Sequence, residues 1–289
     1  MIYKDKKMVW IFLLPTVILV SLFLYIPFLQ SIWNSLFNIS DMAGVDKTFI
    51  GLNNYVELVK DPIIHTSFKN TFIMMLLMIV FELGLGFLLA ILVDSIKRGK
   101  SFYRTVFFFP VVISATAIGL MFTLFYNLDM GLFNQLLKMI GLEPIYWLEE
   151  GRALYSIATP IIWQYVGFYF VIILTGIAGI PEDIYESAYL DGITGFKKTI
   201  YITIPLLKGV IKSSLILVIT GTLKIFDLAW VIAPRGAPLE TTYLFGTYQY
   251  KTVYEAWRIG YGCTIAVAIV VLGMIIALLV NKLLKTEDL

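Results

Sequence analysis

The chain has 289 residues, of which 59% are hydrophobic and only 15% are charged. Soluble domains carry about 25% charged residues, so this composition predicts a protein whose solvent is largely lipid. The net charge of +2 gives no indication of nucleic-acid binding. The single cysteine, Cys263, excludes an internal disulfide, and the single histidine, His65, excludes a His-rich metal site. No metal site is therefore predicted.

Six apolar stretches are long enough to span a membrane, because a hydrocarbon core of about 30 Å needs roughly 20 helical residues. The predicted spans are Met8–Leu29, Thr71–Ile96, Phe102–Tyr126, Ala153–Ile177, Gly209–Val231 and Gly262–Leu284. The first is too long for a secretion signal and no small-residue cleavage site follows it, so we expect it to be retained. The fold class predicted is all-α, a polytopic membrane protein with six transmembrane helices in one domain, 1–289, with a five-helix core at 71–284.

The basic residues predict the orientation of the spans. With the N-terminus placed in the cytoplasm, thirteen of the 22 Lys and Arg residues fall in inside segments and eight in outside segments. The bias is strongest at Lys97, Arg98, Lys100 and Arg104, which share one short inside loop. We therefore expect a multi-pass cell-membrane protein with both termini in the cytoplasm. The three outside connections contain turn formers such as Asn53-Asn54, and none is long enough for a separate domain.

One inside connection, residues 178–208, is long and amphipathic. Pro181 suits the first turn of a helix, and the acidic residues that follow it are favourable near a helix N-terminus. Gly192 predicts an interruption, Phe196–Ile204 a second helical piece, and Pro205 the end of that piece. A short helix, a bend and a second helix beneath the membrane together would form a docking element.

The loop from Glu186 to Pro205 also contains a spaced motif. Gly192 follows Glu186 by six residues, and Ile202 and Pro205 follow at the spacing of an Ile-x-Leu-Pro group. This pattern resembles the EAA loop of the membrane subunits of binding-protein-dependent ABC importers, with Ser187 in place of the first Ala. The resemblance implies a role in ATPase coupling for Glu186, Ser187, Ala188, Asp191, Gly192, Ile202 and Pro205.

The resemblance extends over nearly the whole chain. The segments Phe49–Tyr55, Tyr103-Arg104 and Phe108–Pro110 are similar to the sugar-importer branch, in particular to the first permease subunit of maltose-type systems. One departure is the turn Arg235–Pro238, which has one residue more than the usual Gly-Gly-Pro. The family implies a type I ABC importer permease fold. It also implies four kinds of partner: a second, different permease subunit, two ATPase subunits, an extracytoplasmic solute-binding protein and membrane lipid.

The chain contains no Gly-x-x-x-x-Gly-Lys-Ser/Thr phosphate loop. No cofactor is therefore expected in this chain, and ATP and Mg would be bound by the partner ATPase subunits. Force would then reach the spans through a protein contact, with the loop moving as a rigid body. Glu186 is the candidate for a salt bridge or capping contact to a basic ATPase residue. The alternative is that Glu186 only caps its own helix.

A candidate substrate pathway lies on the fourth and fifth spans. Tyr165, Phe168 and Tyr169 share one face of a helix at 100° per residue, and aromatic faces with hydrogen-bonding neighbours are what a sugar requires. By resemblance, the sugar-contact positions are Gln164, Tyr165, Phe168, Gly221, Thr222 and Ile225. The alternative for each of these residues is ordinary helix packing.

Three charged residues lie within the predicted spans: Glu82, Lys224 and Asp227. Ions inside a membrane are costly and usually face protein or water, so Lys224 and Asp227 could pair at their i,i+3 spacing. Glu82 has no obvious partner in the chain and could face a partner subunit, a water-filled pathway or a proton relay. Gly84 and Gly86 predict a close helix contact nearby.

The function predicted is that of the non-catalytic permease subunit of an ATP-driven importer for a di- or oligosaccharide. A monosaccharide or a polyol phosphate would fit the same type of permease. An ion-driven secondary transporter would explain Glu82 and Asp227, but the chain shows no internal repeat and the loop would lack a purpose. A membrane enzyme would need a nucleophile–base pair or a metal cluster, and we find no catalytic residues in the sequence.

Overall fold

A computed structural model describes residues 6–41, 46–96 and 98–284 of the chain. Within these ranges, five helices are long and apolar enough to cross a membrane, and a bent pair supplies a sixth crossing when counted as one. Numbered in chain order, spans one to six are Val9–Asn34, Pro62–Asp94, Lys100–Val112 with Ala115–Phe125, Ala153–Ala178, Lys208–Ile232 and Ile259–Leu283. The prediction of a helical polytopic protein is confirmed.

Two predicted span boundaries shift, and a proline lies in the first turn of the helical segment in each case, where it is accepted. Span one ends at Asn34 rather than at Leu29, and Pro27 is the second residue of its last helical piece, Ile26–Asn34. Span two begins at Pro62, well before the predicted start at Thr71. Three of the basic residues that predict the orientation, Lys4, Lys97 and Lys285, lie outside the described residues.

Two of the spans contain a π-helical turn between α-helical pieces. Span one consists of Lys6–Val20, Ser21–Tyr25 (π) and Ile26–Asn34, and span two of Pro62–Leu77, Met78–Leu83 (π) and Gly84–Asp94. The elements between and after the spans are Asn53–Lys60, Leu132–Met139, Glu182–Leu190, Gly195–Lys198, Thr199–Thr203 (π), Ile204–Leu206, Pro234–Gly236 (3-10), Phe245–Tyr250 and Lys251–Glu255 (π). Since π turns often occur at functional sites, the π turn Met78–Leu83 in span two marks a candidate position for one.

The described residues form two compact units, and the first comprises those within 1–61 and 249–271. It contains a β-hairpin that the all-α prediction missed, with Phe37–Ile39 antiparallel to Lys47–Phe49. The side-chain amide of Asn54 donates hydrogen bonds to the carbonyl oxygens of Ser35 (2.8 Å) and Phe37 (3.0 Å). Asn53-Asn54 therefore begins a helix anchored to the hairpin rather than forming a simple turn.

The second unit comprises residues 62–248 and the described residues from 272 onward. Its centre is the packing of span two on span four, which depends on Gly86. A Cβ at Gly86 would lie 2.9 Å from the backbone nitrogen of Phe170, so only glycine permits this approach. A Cβ at Gly84, by contrast, would meet only the carbonyl oxygen of Ile79, at 3.9 Å. The predicted close contact is thus made by Gly86 and not by Gly84.

Span three is not the single helix that the sequence predicts over Phe102–Tyr126. An α-helix over Lys100–Phe108 passes into a 3-10 turn over Phe109–Val112, and a new helix, Ala115–Phe125, starts at an angle of 90°. Pro110 lies at the second position of the 3-10 turn and has no N–H to donate. The backbone then becomes extended at Ile113, which leaves its carbonyl free of helical hydrogen bonding.

Candidate functional site

The first helix of the predicted coupling loop, Glu182–Leu190, follows an extended Pro181 and ends at a glycine cap. The N–H of Ile193 bonds to the carbonyl of Ala188 (2.8 Å), and the N–H of Gly192 bonds to that of Tyr189 (3.0 Å). Together with a φ of +74° at Gly192, these two bonds form a Schellman motif. The predicted interruption at Gly192 is therefore confirmed and has a defined geometry.

The second helical piece of the loop runs past Pro205. It begins with Gly195–Lys198, continues as the π turn Thr199–Thr203 and closes with Ile204–Leu206. Pro205 is the second residue of that last short segment, a position where no helical N–H is needed. The prediction that Pro205 ends the helix is wrong for this reason.

Tyr185 joins the two pieces of the loop. Its hydroxyl lies 3.4 Å from the hydroxyl of Thr203, and the ammonium group of Lys198 lies 4.4 Å from the centre of its ring. Ala188 is buried on the same side of the first helix. The loop is consequently a folded element with a fixed inner face, as a segment that transmits force would require.

The loop also exposes large apolar side chains. Tyr189 is 71% exposed, Leu190 85% and Phe196 78%, and Tyr201 is also exposed. Such exposed apolar patches mark interaction sites. Of the predicted coupling residues, Ala188 is buried and Ile202 half-buried, whereas Glu186, Ser187, Asp191, Gly192 and Pro205 are exposed.

Glu186 lies in the middle of the helix Glu182–Leu190, one turn beyond its start. Its carboxylate makes no hydrogen bond or ion pair with any other residue in the described part of the chain. No side chain caps the N-terminus of this helix, so the alternative of a self-capping Glu186 has no support in the geometry. The carboxylate is available to a partner.

A cavity of about 400 Å³ lies in the second unit, among spans two, three, four and five. Its wall includes every residue predicted for the substrate pathway, namely Gln164, Tyr165, Phe168, Gly221, Thr222 and Ile225. Residues from two different spans, brought together only by folding, thus share one lining. Their assignment to a substrate remains a prediction, but their predicted proximity is seen.

Gln164 links the cavity to the break in span three. Its side-chain nitrogen donates a hydrogen bond of 3.0 Å to the carbonyl of Ile113, the group freed by the break. The side chain is only 2% exposed, and its oxygen Oε1 has no hydrogen-bond partner among the described residues. A buried acceptor without a partner is costly, and among the described residues that line the cavity this oxygen is the one fully buried side-chain acceptor atom that lacks a partner.

The other pathway residues supply an apolar wall with little hydrogen-bonding capacity of its own. The ring of Phe168 is half-buried and packs edge-on against Tyr169 at 5.3 Å, and Tyr165 is exposed. The hydroxyl of Thr222 already donates to the carbonyl of Val218 (2.8 Å). At Gly221 a Cβ would meet no atom within 4 Å, so this glycine widens the cavity.

Glu82, Lys224 and Asp227 also line the cavity. Glu82 lies on the π turn of span two and is 4% exposed. The predicted ion pair between Lys224 and Asp227 is absent from the described residues. Span five unwinds after Thr222 and resumes as a helix at Asp227, so the i,i+3 geometry is lost.

Comparison with known sequences identifies the kind of protein to which this loop and cavity belong. Residues 82–286 match the family described as binding-protein-dependent transport system inner membrane component. The chain belongs to this family. The predicted class of protein, the permease subunit of a binding-protein-dependent importer, is confirmed.

Relatives of this permease cover nearly its full length. The chain is 33% identical over 291 aligned positions to the probable ABC transporter permease protein YurN of Bacillus subtilis (strain 168), with 99% of each chain covered. It is 30% identical to the lactose transport system permease protein LacF of Rhizobium radiobacter, covering 93% of this chain and 91% of that protein. It is 29% identical to the diacetylchitobiose uptake system permease protein NgcF of Streptomyces coelicolor, covering 90% and 77%.

Solved structures confirm the predicted fold of the permease. A bacterial alginate ABC transporter in complex with an alginate pentasaccharide-bound periplasmic protein contains a chain that superimposes with a TM-score of 0.85. The match covers 99% of both chains at 23% identity. A second structure of an importer of the acidic polysaccharide alginate gives a TM-score of 0.84 at 22% identity, covering 98% and 96%.

Sequence reasoning missed part of the permease's outer loop surface. Tyr189, Leu190 and Phe196 are apolar, and nothing in their spacing alone distinguishes an exposed contact from a buried one. The sequence carries no local signal that would have indicated their exposure, which is seen only in the folded loop.

Proposed function

We propose that this permease is one of two different membrane subunits of an ATP-driven importer for a di- or oligosaccharide. The observation that carries the proposal is the loop at Glu186–Pro205, folded on its inner face and exposing apolar side chains and an unpaired Glu186 outward. A rigid element with such a surface suits insertion into a cleft of an ATPase subunit.

The cavity is the proposed half-pathway in this arrangement. A partner permease would supply the other half, and a solute-binding protein would deliver the sugar from outside. Aromatic rings, the free oxygen of Gln164 and the space at Gly221 suit a saccharide. Relatives named for lactose, diacetylchitobiose and trehalose/maltose transport support a sugar as the substrate.

The chemistry of ATP belongs to the partners in this proposal. Two ATPase subunits would bind ATP and Mg, and the permease would be non-catalytic and need no cofactor. Residues 71–284 would form the moving core of a single permease domain, and 178–208 its coupling segment. Both termini would lie in the cytoplasm, on the same side as this segment.

The test is reconstitution of the permease in lipid vesicles with its second permease, two ATPase subunits and solute-binding protein. We expect accumulation of a labelled sugar that requires ATP and every subunit and is insensitive to a protonophore. Uptake by the permease alone, driven by a proton or sodium gradient, would instead establish the ion-driven transporter.

A further inference from the structure

The cavity contains a carboxyl group for which the described part of the chain offers no partner. Glu82 lines the cavity and is only 4% exposed within this single chain, so it needs no partner permease to bury it. It makes neither an ion pair nor a hydrogen bond with another described residue. An unpaired charge at such a depth is expensive, and the carboxyl is therefore protonated and uncharged at neutral pH.

Protonation changes what Glu82 can bind. A protonated carboxyl has one O–H donor besides its carbonyl acceptor, whereas a carboxylate only accepts. The oxygen Oε1 of Gln164, in the same wall, is an acceptor without a partner among the described residues. The cavity thus offers an uncharged donor and an uncharged acceptor. A hydroxyl group can use both, because it accepts one hydrogen bond while it donates another.

Spans two and four, which carry these two side chains, run in the same direction. Met78 and Glu82, four residues apart on the π turn of span two, share the cavity with residues within 161–169 of span four. Further along span two, residues within 91–95 share a second cavity with Ile177, near the end of span four. A step along one span therefore corresponds to a step in the same direction along the other.

The close contact at Gly86 fixes the alignment of the two spans. A Cβ at Gly86 would lie 3.1 Å from the carbonyl oxygen of Val166 and 2.9 Å from the backbone nitrogen of Phe170, so Gly86 is level with that stretch of span four. Glu82 lies one helical turn before Gly86, and Gln164 lies about one turn before the middle of the stretch, a step of about 6 Å along each helix. Glu82 and Gln164 therefore line the cavity from two spans at about the same height.

We propose that protonated Glu82 is a further substrate-contacting residue of the permease and that, together with Gln164, it binds a hydroxyl group of the saccharide. Glu82 donates a hydrogen bond to the hydroxyl oxygen, and the hydroxyl in turn donates to the oxygen Oε1 of Gln164. The inference rests on the proposed function, because it requires a saccharide in the cavity. An uncharged pair of this kind orients the sugar without holding it firmly, since hydrogen bonds to charged groups are the stronger ones.

Two substitutions of Glu82 separate its hydrogen bond from its place in the packing. Glu82→Gln keeps an uncharged group that both donates and accepts, so ATP-driven uptake should stay within about twofold of the parent rate. Glu82→Met is of similar length but apolar, and uptake should fall about fivefold, which corresponds to the loss of one hydrogen bond. Rates are measured in the reconstituted complex with saturating solute-binding protein, using labelled lactose, maltose and diacetylchitobiose in turn as probes.

Ser67→Ala is the matched control for removing a buried polar group. Ser67 also lies in span two, and its hydroxyl is buried without a hydrogen-bond partner among the described residues, but it is not part of the cavity wall. Its substitution should leave uptake unchanged. Parent rates in Glu82→Met, or equal losses in Glu82→Met and Glu82→Gln, would overturn the proposal.

Infrared difference spectroscopy observes the carboxyl group directly, which a purely structural role of Glu82 would not affect. We expect the C=O stretching band of a protonated carboxyl in the parent complex at neutral pH and its absence from the Glu82→Gln complex. With the ATPase subunits held closed by a non-hydrolysable ATP analogue, a transported probe sugar should shift this band. A probe sugar that is not transported should leave the band in place.

The outcomes of this experiment separate the inference from the proposed function. Absence of the band would mean that Glu82 is ionised, and a band that no transported sugar shifts would mean that Glu82 binds water alone; either result would overturn the inference while uptake driven by ATP still stood. A complete complex that takes up none of the probe sugars with ATP would contradict the proposed function, and this inference with it.

Discussion

The loop Glu186–Pro205 and the cavity present their chemistry in opposite ways. The loop exposes large apolar side chains such as Leu190 and Phe196, whereas its polar contact between Tyr185 and Thr203 is made within the loop. The cavity is built mainly of apolar groups, but its lining includes charged side chains and Gln164, whose amide oxygen has no partner among the described residues. The first pattern suits a lasting contact with a rigid protein, and the second suits the brief passage of a polar solute.

Energetics explain why one chain needs both patterns. Burying a large apolar side chain contributes about 1.5–3 kcal/mol, so a few side chains on the loop can hold a partner through repeated cycles. A solute that is held as firmly would not leave the pathway. The cavity accordingly offers few directed hydrogen bonds, of which the Oε1 acceptor of Gln164 is the clearest.

The strongest test of the loop reverses the charge of its unpaired acid. Glu186→Lys should leave the permease inserted in the membrane but lower coupled uptake more than tenfold, since like charges would meet at a basic ATPase contact. Copurification of the ATPase and uptake in vesicles are the measurements. Glu182→Lys makes the same charge change one turn earlier in the same helix and should cost much less. Full coupled uptake by Glu186→Lys would contradict the assigned role.

Truncation of an outward apolar side chain should have the next largest effect. Leu190→Ala removes apolar surface that would be buried on docking, and a loss of about 1.5 kcal/mol corresponds to roughly tenfold weaker ATPase binding. Titration of detergent-solubilised permease with the ATPase measures it. Met139→Ala, a similarly exposed apolar position at the end of the helix Leu132–Met139, is the control and should bind normally. Equal affinities for the two variants would remove Leu190 from the interface.

A substitution in the cavity wall should affect transport and not subunit assembly. Phe168→Ala removes an aromatic face from the wall, which should reduce uptake severalfold while subunit assembly and basal ATP hydrolysis stay intact. Phe72→Ala, on an exposed face of span two outside the cavity wall, is the matched control. Unchanged uptake kinetics in Phe168→Ala would mean that the ring serves only packing.

The two regions also differ in how far sequence could predict them. The loop is continuous in the chain, so the spacing from Glu186 to Gly192 indicates both its motif and its bend. The cavity joins distant segments, and its predicted residues came from resemblance. The local hydrophobic pattern does not predict the break of span three at Ile113 or the unwinding of span five beside Lys224. A long apolar stretch has the same pattern whether its helix is continuous or broken. The wrong Lys224–Asp227 pair follows from assuming a continuous helix.

The smallest predicted effect separates the shape of the loop from its contacts. Gly192→Ala places a Cβ on a residue with a φ of +74°, which costs about 1 kcal/mol in the left-handed region, although no neighbouring atom lies within 4 Å. We expect a fewfold loss of coupled uptake and a small decrease in ATPase affinity. Gly192→Asn should recover most of both, because asparagine tolerates this conformation while being larger than alanine. Vesicle uptake and ATPase titration compare the two variants. If Gly192→Asn impaired uptake more than Gly192→Ala, then Gly192 would be needed because a side chain there clashes with a partner, and not because of the backbone conformation of the cap.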